Sequence, residues 1–256
     1  MPGSMRLQFA VTLVGLLALG CGTTGYTKVD GAWAYVTWDE GNGRKVHDLA
    51  ADNDSFVVID QKYYAKDKQR VFYEGQVIAG ADPASFQVIN RDHFAKDKQH
   101  VYLMKHRIAG ADPASFQVIR GPYSRDASRV YCGTVPMETA SVEAFELLQC
   151  DGMWMTCFDK GSFLFDYGES FSKLEISSQQ PVVVGSGWGR DGKYYYHGPG
   201  RVEGADYATF KIIDSFEAAD KDRKFMNVFP EDELPARRER FLGGQRGADK
   251  GDGSKS

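Results

Sequence analysis

Residues 65–89 read AKDKQRVFYEGQVIAGADPASFQVI and residues 95–119 read AKDKQHVYLMKHRIAGADPASFQVI, so 18 of 25 positions are identical at a spacing of 30. A repeat of this kind constrains the fold before any local propensity does. One short unit cannot bury its own apolar face and must stack on its neighbours. Weaker copies share the pattern, an aromatic followed three positions on by aspartate: Tyr64 and Asp67, Phe94 and Asp97, Tyr123 and Asp126, Trp188 and Asp191. The marker aspartates align as Asp30, Asp67, Asp97, Asp126, Asp159, Asp191 and Asp222, the first interval being 37 and the later ones 29 to 33. A second signature, Ala-Asp-Pro-Ala-Ser-Phe, stands at 81–86 and 111–116, with variants at 51–56 and 205–210.

Each unit reads as strands. Phe86-Gln87-Val88-Ile89 alternates apolar and polar residues, as a half-buried strand does. The stretches 70–73 and 76–78 flank Glu74-Gly75, a tight turn whose glycine can take positive φ. The aspartate of Asp67-Lys68-Gln69-Arg70 is placed to accept a backbone N–H two residues on, and Asp82-Pro83 suits the capped start of a helical turn. The expected unit is two or three short strands plus one capped turn. About seven such units form an all-β array of β-meander or hairpin repeats over residues 30–229. A propeller blade needs four strands in about 40–45 residues, so an open solenoid is favoured over a propeller-like ring.

The pattern Tyr-Ala-Lys-Asp-Lys-x-x-Val followed by Gly-Ala-Asp-Pro-x-Ser-Phe resembles the bacterial DKNYY repeat family, at 64–86 and 94–116 and more loosely at 123–145 and 188–210. The chain departs from that family's name in carrying Asp-Lys-Gln-Arg and Asp-Lys-Gln-His at the turn. The resemblance implies a bacterial envelope or surface protein and assigns no activity.

The N-terminus reads as an export signal. Arg6 precedes an almost wholly apolar run, Leu7 to Leu19, which is shorter than the roughly 20 residues that span a bilayer. Its end, Leu17-Ala18-Leu19-Gly20-Cys21, resembles a bacterial lipoprotein signal. That resemblance implies cleavage after residue 20 and acylation of Cys21, with residues 21–29 a linker behind the anchor. Gly22, where an inner-membrane retention signal would place Asp, favours the outer membrane. Residues 230–256 are rich in Gly and charge and read as a disordered polar tail. The formal net charge of −4, of mixed sign, argues against nucleic acid as a partner.

A search for chemistry returns little. The marker aspartates recur once per unit and read as turn caps, since a catalytic pair would be unique in the chain. Asp52-Asn53-Asp54 lacks the downstream Gly and Glu of a calcium loop. His47, His93, His100, His106 and His197 form no spaced metal motif, and Gly185-Ser186-Gly187-Trp188-Gly189 is neither a nucleophile elbow nor a phosphate loop. No catalytic constellation, metal site or cofactor site follows, and the chain reads as a non-enzyme. Of Cys132, Cys150 and Cys157, an exported chain is expected to pair two, with Cys150–Cys157 favoured. The seven differences between the two strongest units all fall in one hairpin, where Leu103, Met104, Lys105, His106 and Arg107 replace Tyr73 to Val77. These five residues are a candidate partner contact, an apolar step beside a basic cluster. The resulting expectation is a lipid-anchored envelope module that binds a protein or envelope ligand. A toxin-immunity lipoprotein, an envelope enzyme without a recognisable site and a structural role in the envelope remain alternatives.

Overall fold

The structure is a computed structural model that describes residues 24–150, 156–158, 167 and 182–239. Its elements are almost all short antiparallel strands. A three-stranded sheet opens the described chain (Gly25–Val29, Ala32–Asp39, Gly43–Asp48), and five four-stranded sheets follow in order. Unit 1 contains Val57–Val58, Tyr64–Lys66, Val71–Tyr73 and Gln76–Val77; unit 2 contains Gln87–Val88, Phe94–Lys96, Val101–Leu103 and His106–Arg107. Unit 3 contains Gln117–Arg120, Tyr123–Arg125, Val130–Cys132 and Val135–Pro136. Unit 4 contains Glu146–Gln149, Trp188–Arg190, Tyr195–His197 and Gly200–Arg201. Unit 5 contains Lys211–Ile212, Glu217–Ala219, Lys224–Met226 and Phe229–Pro230. The fold is all-β, built of separate small sheets, and the described residues form no closed barrel.

One sequence expectation shifts in this geometry. Phe86–Ile89, read as the close of one unit, supplies the first strand of the next, because Gln87 and Val88 pair with Lys96 and Ala95. The structural unit therefore starts after the Ala-Asp-Pro signature and carries four strands of two to four residues. Leu147 pairs with Gly189 inside one sheet, so residues 150–187 are an insertion between the first two strands of unit 4. Within that insertion Thr156–Phe158 pairs with Val182–Val184.

The units pack in one dimension. Each apolar cluster joins one unit to the next: Tyr64, Val71, Tyr73, Ile78 and Phe86 pack with Ala95 and Tyr102, and Phe94, Val101, Leu103, Ile108 and Phe116 pack with Tyr131. Such a core explains why the third strand, Val71-Phe72-Tyr73 or Val101-Tyr102-Leu103, is buried at every residue. Neighbouring units cover both of its faces, so it reads as a continuous apolar run and not an alternating one. Every interface centres on three rings. In the second it is Tyr64–Phe86–Tyr102, with ring centroids 5.7 and 6.0 Å apart; in the third it is Phe94–Phe116–Tyr131 at 5.7 and 6.5 Å. The same trio recurs as Tyr26–Phe56–Phe72, Tyr123–Phe145–Tyr196 and Trp188–Phe210–Phe225. Burying the signature phenylalanine contributes about 1.5–3 kcal/mol at each interface.

Polar groups on the first ring cross the same interfaces. Tyr26 Oη donates to the Tyr63 carbonyl, Tyr64 Oη to that of His93 at 2.6 Å, Tyr123 Oη to that of Gly187, and Trp188 Nε1 to that of Asp214. Residues 231–239, expected to begin the polar tail, form a 3-10 turn at Glu231–Glu233 and a helical turn over 234–239.

Candidate functional site

The sequence signals that recur are spent on one device that joins the two signatures. In unit 2, Asp97 is 3% exposed and its Oδ1 accepts the N–H groups of Gln99 and His100 at 2.7 Å each. Its Oδ2 accepts the N–H of Asp82, from the signature that precedes the sheet, and the hydroxyl of Tyr102 at 2.8 Å. Asp82 in turn accepts the hydroxyl of Ser85, whose Oγ accepts the N–H of Lys98, and Lys98 Nζ returns to Asp82 at 3.0 Å. The ring of contacts closes the turn and fastens the signature to it. Burial would raise the Asp97 pKa, but the hydrogen bonds from Asp82, Gln99, Tyr102 and His100 outweigh it and hold it below the usual range.

The device recurs around Asp67, Asp126 and Asp220, and around Asp191 the N–H of Ala140 takes the place of the signature aspartate. Asp220, and not the expected Asp222, is the marker of the last unit. It accepts the N–H groups of Asp206, Asp222 and Arg223, and Lys221 beside it matches Lys68 and Lys98. Asp30 lies in a turn at φ 50°, and none of these bonds reaches it. Asp159 lies outside the described residues.

Two units depart from the pattern: unit 4, where Ser141 replaces the signature aspartate and Gly192 replaces the lysine, and unit 3, which keeps the aspartate and loses only the lysine. The signature aspartates Asp52, Asp82 and Asp206 pair with Lys68, Lys98 and Lys221 at 2.6, 3.0 and 2.9 Å. Opposite Asp112 the equivalent residue is Ala127, and Asp112 is exposed where the other three are half-buried. Its carboxyl is held low by the hydroxyl of Ser115 first and the N–H of Ala114 next. A second substitution accompanies the first. Lys66 Nζ donates to the Pro83 carbonyl at 2.7 Å and Lys96 Nζ to the Pro113 carbonyl at 2.8 Å, but Arg125 at the matching place makes no such bond among the described residues. An open groove of about 450 Å³ lies here, lined by Ser115, Gln117, Arg125, Asp126, Ala127, Val142 and Glu143.

The expected partner contact at 103–107 is corrected by burial. Leu103 is wholly buried among Phe94, Val101, Ile108 and Val183, and His106 is 6% exposed. Neither can meet a partner. Desolvation lowers the His106 pKa, with Lys105 adding to the effect. Met104 and Lys105 form the half-buried turn, with Lys105 Nζ donating to Gln76 Oε1, and Arg107 alone is exposed. The rewriting of this hairpin therefore has an internal cause. Tyr73, at the place of Leu103, packs against Tyr64 and His93, whereas Leu103 packs beside Val183 from the insertion.

That insertion is clamped to unit 3. Thr134 donates its N–H to the Val183 carbonyl at 2.8 Å, and Val183 donates its own N–H to Thr134 Oγ1 at 3.1 Å. Gly133, at φ 64°, permits the approach, since a Cβ there would lie 2.0 Å from the Val183 oxygen. Cys132 is buried and not in a disulfide, and its Sγ contacts the N–H and carbonyl of Gly185 at 3.4 Å each. Burial pushes its thiol up to about 12. Cys150 follows the first strand of unit 4, half-buried and close to Gly121. The side chain of Cys157 and all of Cys21 lie outside the described residues.

The other candidates have local partners. His47 Nε2 is 3.2 Å from Thr37 Oγ1, His93 packs edge-on to Tyr63, His100 lies beside Asp97 and Tyr102, and His197 Nε2 is 2.9 Å from the Ser215 carbonyl. Asp52 caps Ser55, and Asn53 accepts the N–H of Trp33. Among the described residues no three carboxylate, imidazole or thiol groups converge as a metal site would require. The groove was missed in the sequence, although its signal was there. Lysine follows the marker aspartate at 68, 98 and 221, glycine follows it at 192 where the signature aspartate is also missing, and alanine follows it at 127 where that aspartate is kept.

The model of the DKNYY family matches residues 22–106 and 94–236, which together cover most of the chain. The chain belongs to the DKNYY family. The repeats that define this DKNYY protein are thus the aspartate-closed, ring-stacked units described above. No curated protein and no solved structure matches it.

Proposed function

We propose that this DKNYY protein is a binding module of the bacterial cell envelope, held at a membrane face by acyl chains on Cys21, with the outer membrane as its site. The supporting features are the apolar run that ends at Gly20-Cys21, Gly22 in place of a retention aspartate, and membership of the DKNYY family, whose stacked units in this chain present a repeated surface. One observation carries the binding role. The polar residues that recur are consumed in closing turns, and the groove opens where the pattern is broken at Ala127. A protein or envelope ligand is the expected occupant of the exposed edges. The test is growth with labelled palmitate, followed by affinity purification from cells with the anchor intact. Wild type should carry the label and recover one partner reproducibly, and Cys21→Ser should lose the label. Unlabelled wild-type protein would reject the anchor, and recovery of no partner after cross-linking would reject the module.

A further inference from the structure

We infer that the groove between units 3 and 4 takes a lysine side chain presented by a protein partner, its ammonium standing where the repeat elsewhere supplies its own lysine. The inference deepens the binding role proposed above and rests on it.

The repeat itself defines the missing chemistry. At three of the four signature aspartates a lysine from the following turn reaches the carboxylate within 3.0 Å. At the fourth, Ala127 removes that ammonium and leaves Asp112 without an ion pair among the described residues. The Asp112 carboxylate is still oriented for the role, because Ser115 Oγ donates to its Oδ2 at 2.6 Å and Ala114 N–H to its Oδ1 at 3.0 Å. These are the contacts that hold Asp82 beneath Lys98 in unit 2. Asp112 adjoins the groove through Ser115, which bonds its carboxylate, and Ala127, which bonds Ser115; both line the groove. The carboxylate is thus held at the groove's edge, and only the internal donor has been withdrawn.

A second withdrawn contact narrows the ligand. Lys66 and Lys96 each spend their ammonium on a carbonyl of the next signature turn. Arg125 takes their place in the groove wall and makes no such bond, so its guanidinium is available to a carbonyl on an incoming chain. A peptide backbone carries such a carbonyl close to its lysine side chain. Val142 supplies an apolar wall for the lysine methylenes, and Glu143 adds a second carboxylate on the same rim. An aliphatic stem between apolar wall and solvent, ending at a carboxylate, is the environment in which lysine packs best. The contact is partly exposed and therefore weak alone, so it contributes specificity and register to a larger interface.

The experiment is a titration of isotope-labelled full-length protein, in detergent, with the peptide acetyl-Gly-Lys-Gly-amide and with its norleucine counterpart. The lysine peptide should move the amide resonances of Ser115 and Ala127 in a saturable way, with a Kd on the order of 1 mM. The norleucine peptide should leave them in place. Ala127→Lys, a residue that three other units carry at this position, should abolish the response, and Asp112→Asn should weaken it about tenfold. Equal shifts with norleucine, or an unchanged response in Ala127→Lys, would overturn the assignment, as would the absence of any saturable shift. A partner that is captured from cells and bound equally well by wild type and Ala127→Lys would also reject the groove while leaving the binding module standing.

Discussion

Removing the carboxylate of Asp126 should cost about 3 kcal/mol, and the structure gives the parts of that figure. Asp126 is 3% exposed and accepts five hydrogen bonds: from the N–H groups of Asp112, Ser128 and Arg129 at 3.0, 2.7 and 2.8 Å, and from the hydroxyls of Ser128 and Tyr131 at 2.9 and 2.8 Å. Burial opposes its ionisation, but these donors outweigh burial and hold the carboxyl at about 2, against an ordinary value of 3.8. A gap of this size corresponds to about 2 kcal/mol of stability at neutral pH. Asp126→Asn removes that charge and keeps an acceptor, so it should cost about this much. Asp126→Ala also leaves the turn N–H groups and the buried Tyr131 hydroxyl to find other partners, which adds about 1 kcal/mol. The addition is small for two reasons. Ser128 and Arg129 are exposed and reach water, and Tyr131 can turn to the Gly110 carbonyl, 3.2 Å away. Urea unfolding followed by aromatic fluorescence measures the total, and hydrogen exchange should place the loss in units 2 and 3 first, because a stacked array opens locally. A cost below about 1 kcal/mol for Asp126→Ala would refute the view that this aspartate fastens the signature to the turn.

Acid should weaken the whole array. Asp67, Asp97, Asp126, Asp191 and Asp220 all have lowered pKa values, so their stabilisation is present above the ordinary value of 3.8 and is lost as pH falls below it through the folded values; melting temperatures should decline steeply there. Phe116→Ala should destabilise by about 3–5 kcal/mol in chemical denaturation, since it removes the middle ring of the Phe94–Phe116–Tyr131 trio. Gly133→Ala should release the insertion from the tip of unit 3, because no Cβ fits 2.0 Å from the Val183 oxygen; limited proteolysis between residues 150 and 187 should then quicken. The Cys132 thiol, buried and pushed up to about 12, should resist alkylation at pH 8 until the protein unfolds, and a non-reducing peptide map of the envelope protein will show whether Cys150 and Cys157 pair.

Much of the fold was legible in the sequence because a stacked repeat encodes nearest-neighbour contacts in its own period. The period near 30, the ring residues at 64, 86 and 102, and the turn-closing role of Asp67, Asp97 and Asp126 could all be read from spacing and residue type. What the period does not encode was decided in three dimensions. The phase of the unit depends on which strand Gln87 and Val88 pair with, and either neighbour fits an alternating pattern. Asp220 and Asp222 are two residues apart and chemically equal, so only the N–H groups that converge on Asp220 distinguish them. Leu103 and His106 looked like surface divergence, yet a strand about 80 residues further along the chain comes to lie beside Leu103. The groove likewise needed both halves of the argument. The sequence placed alanine where lysine recurs, and tertiary packing brought Ala127 and Ser115 together with Arg125, Val142 and Glu143 around one open groove.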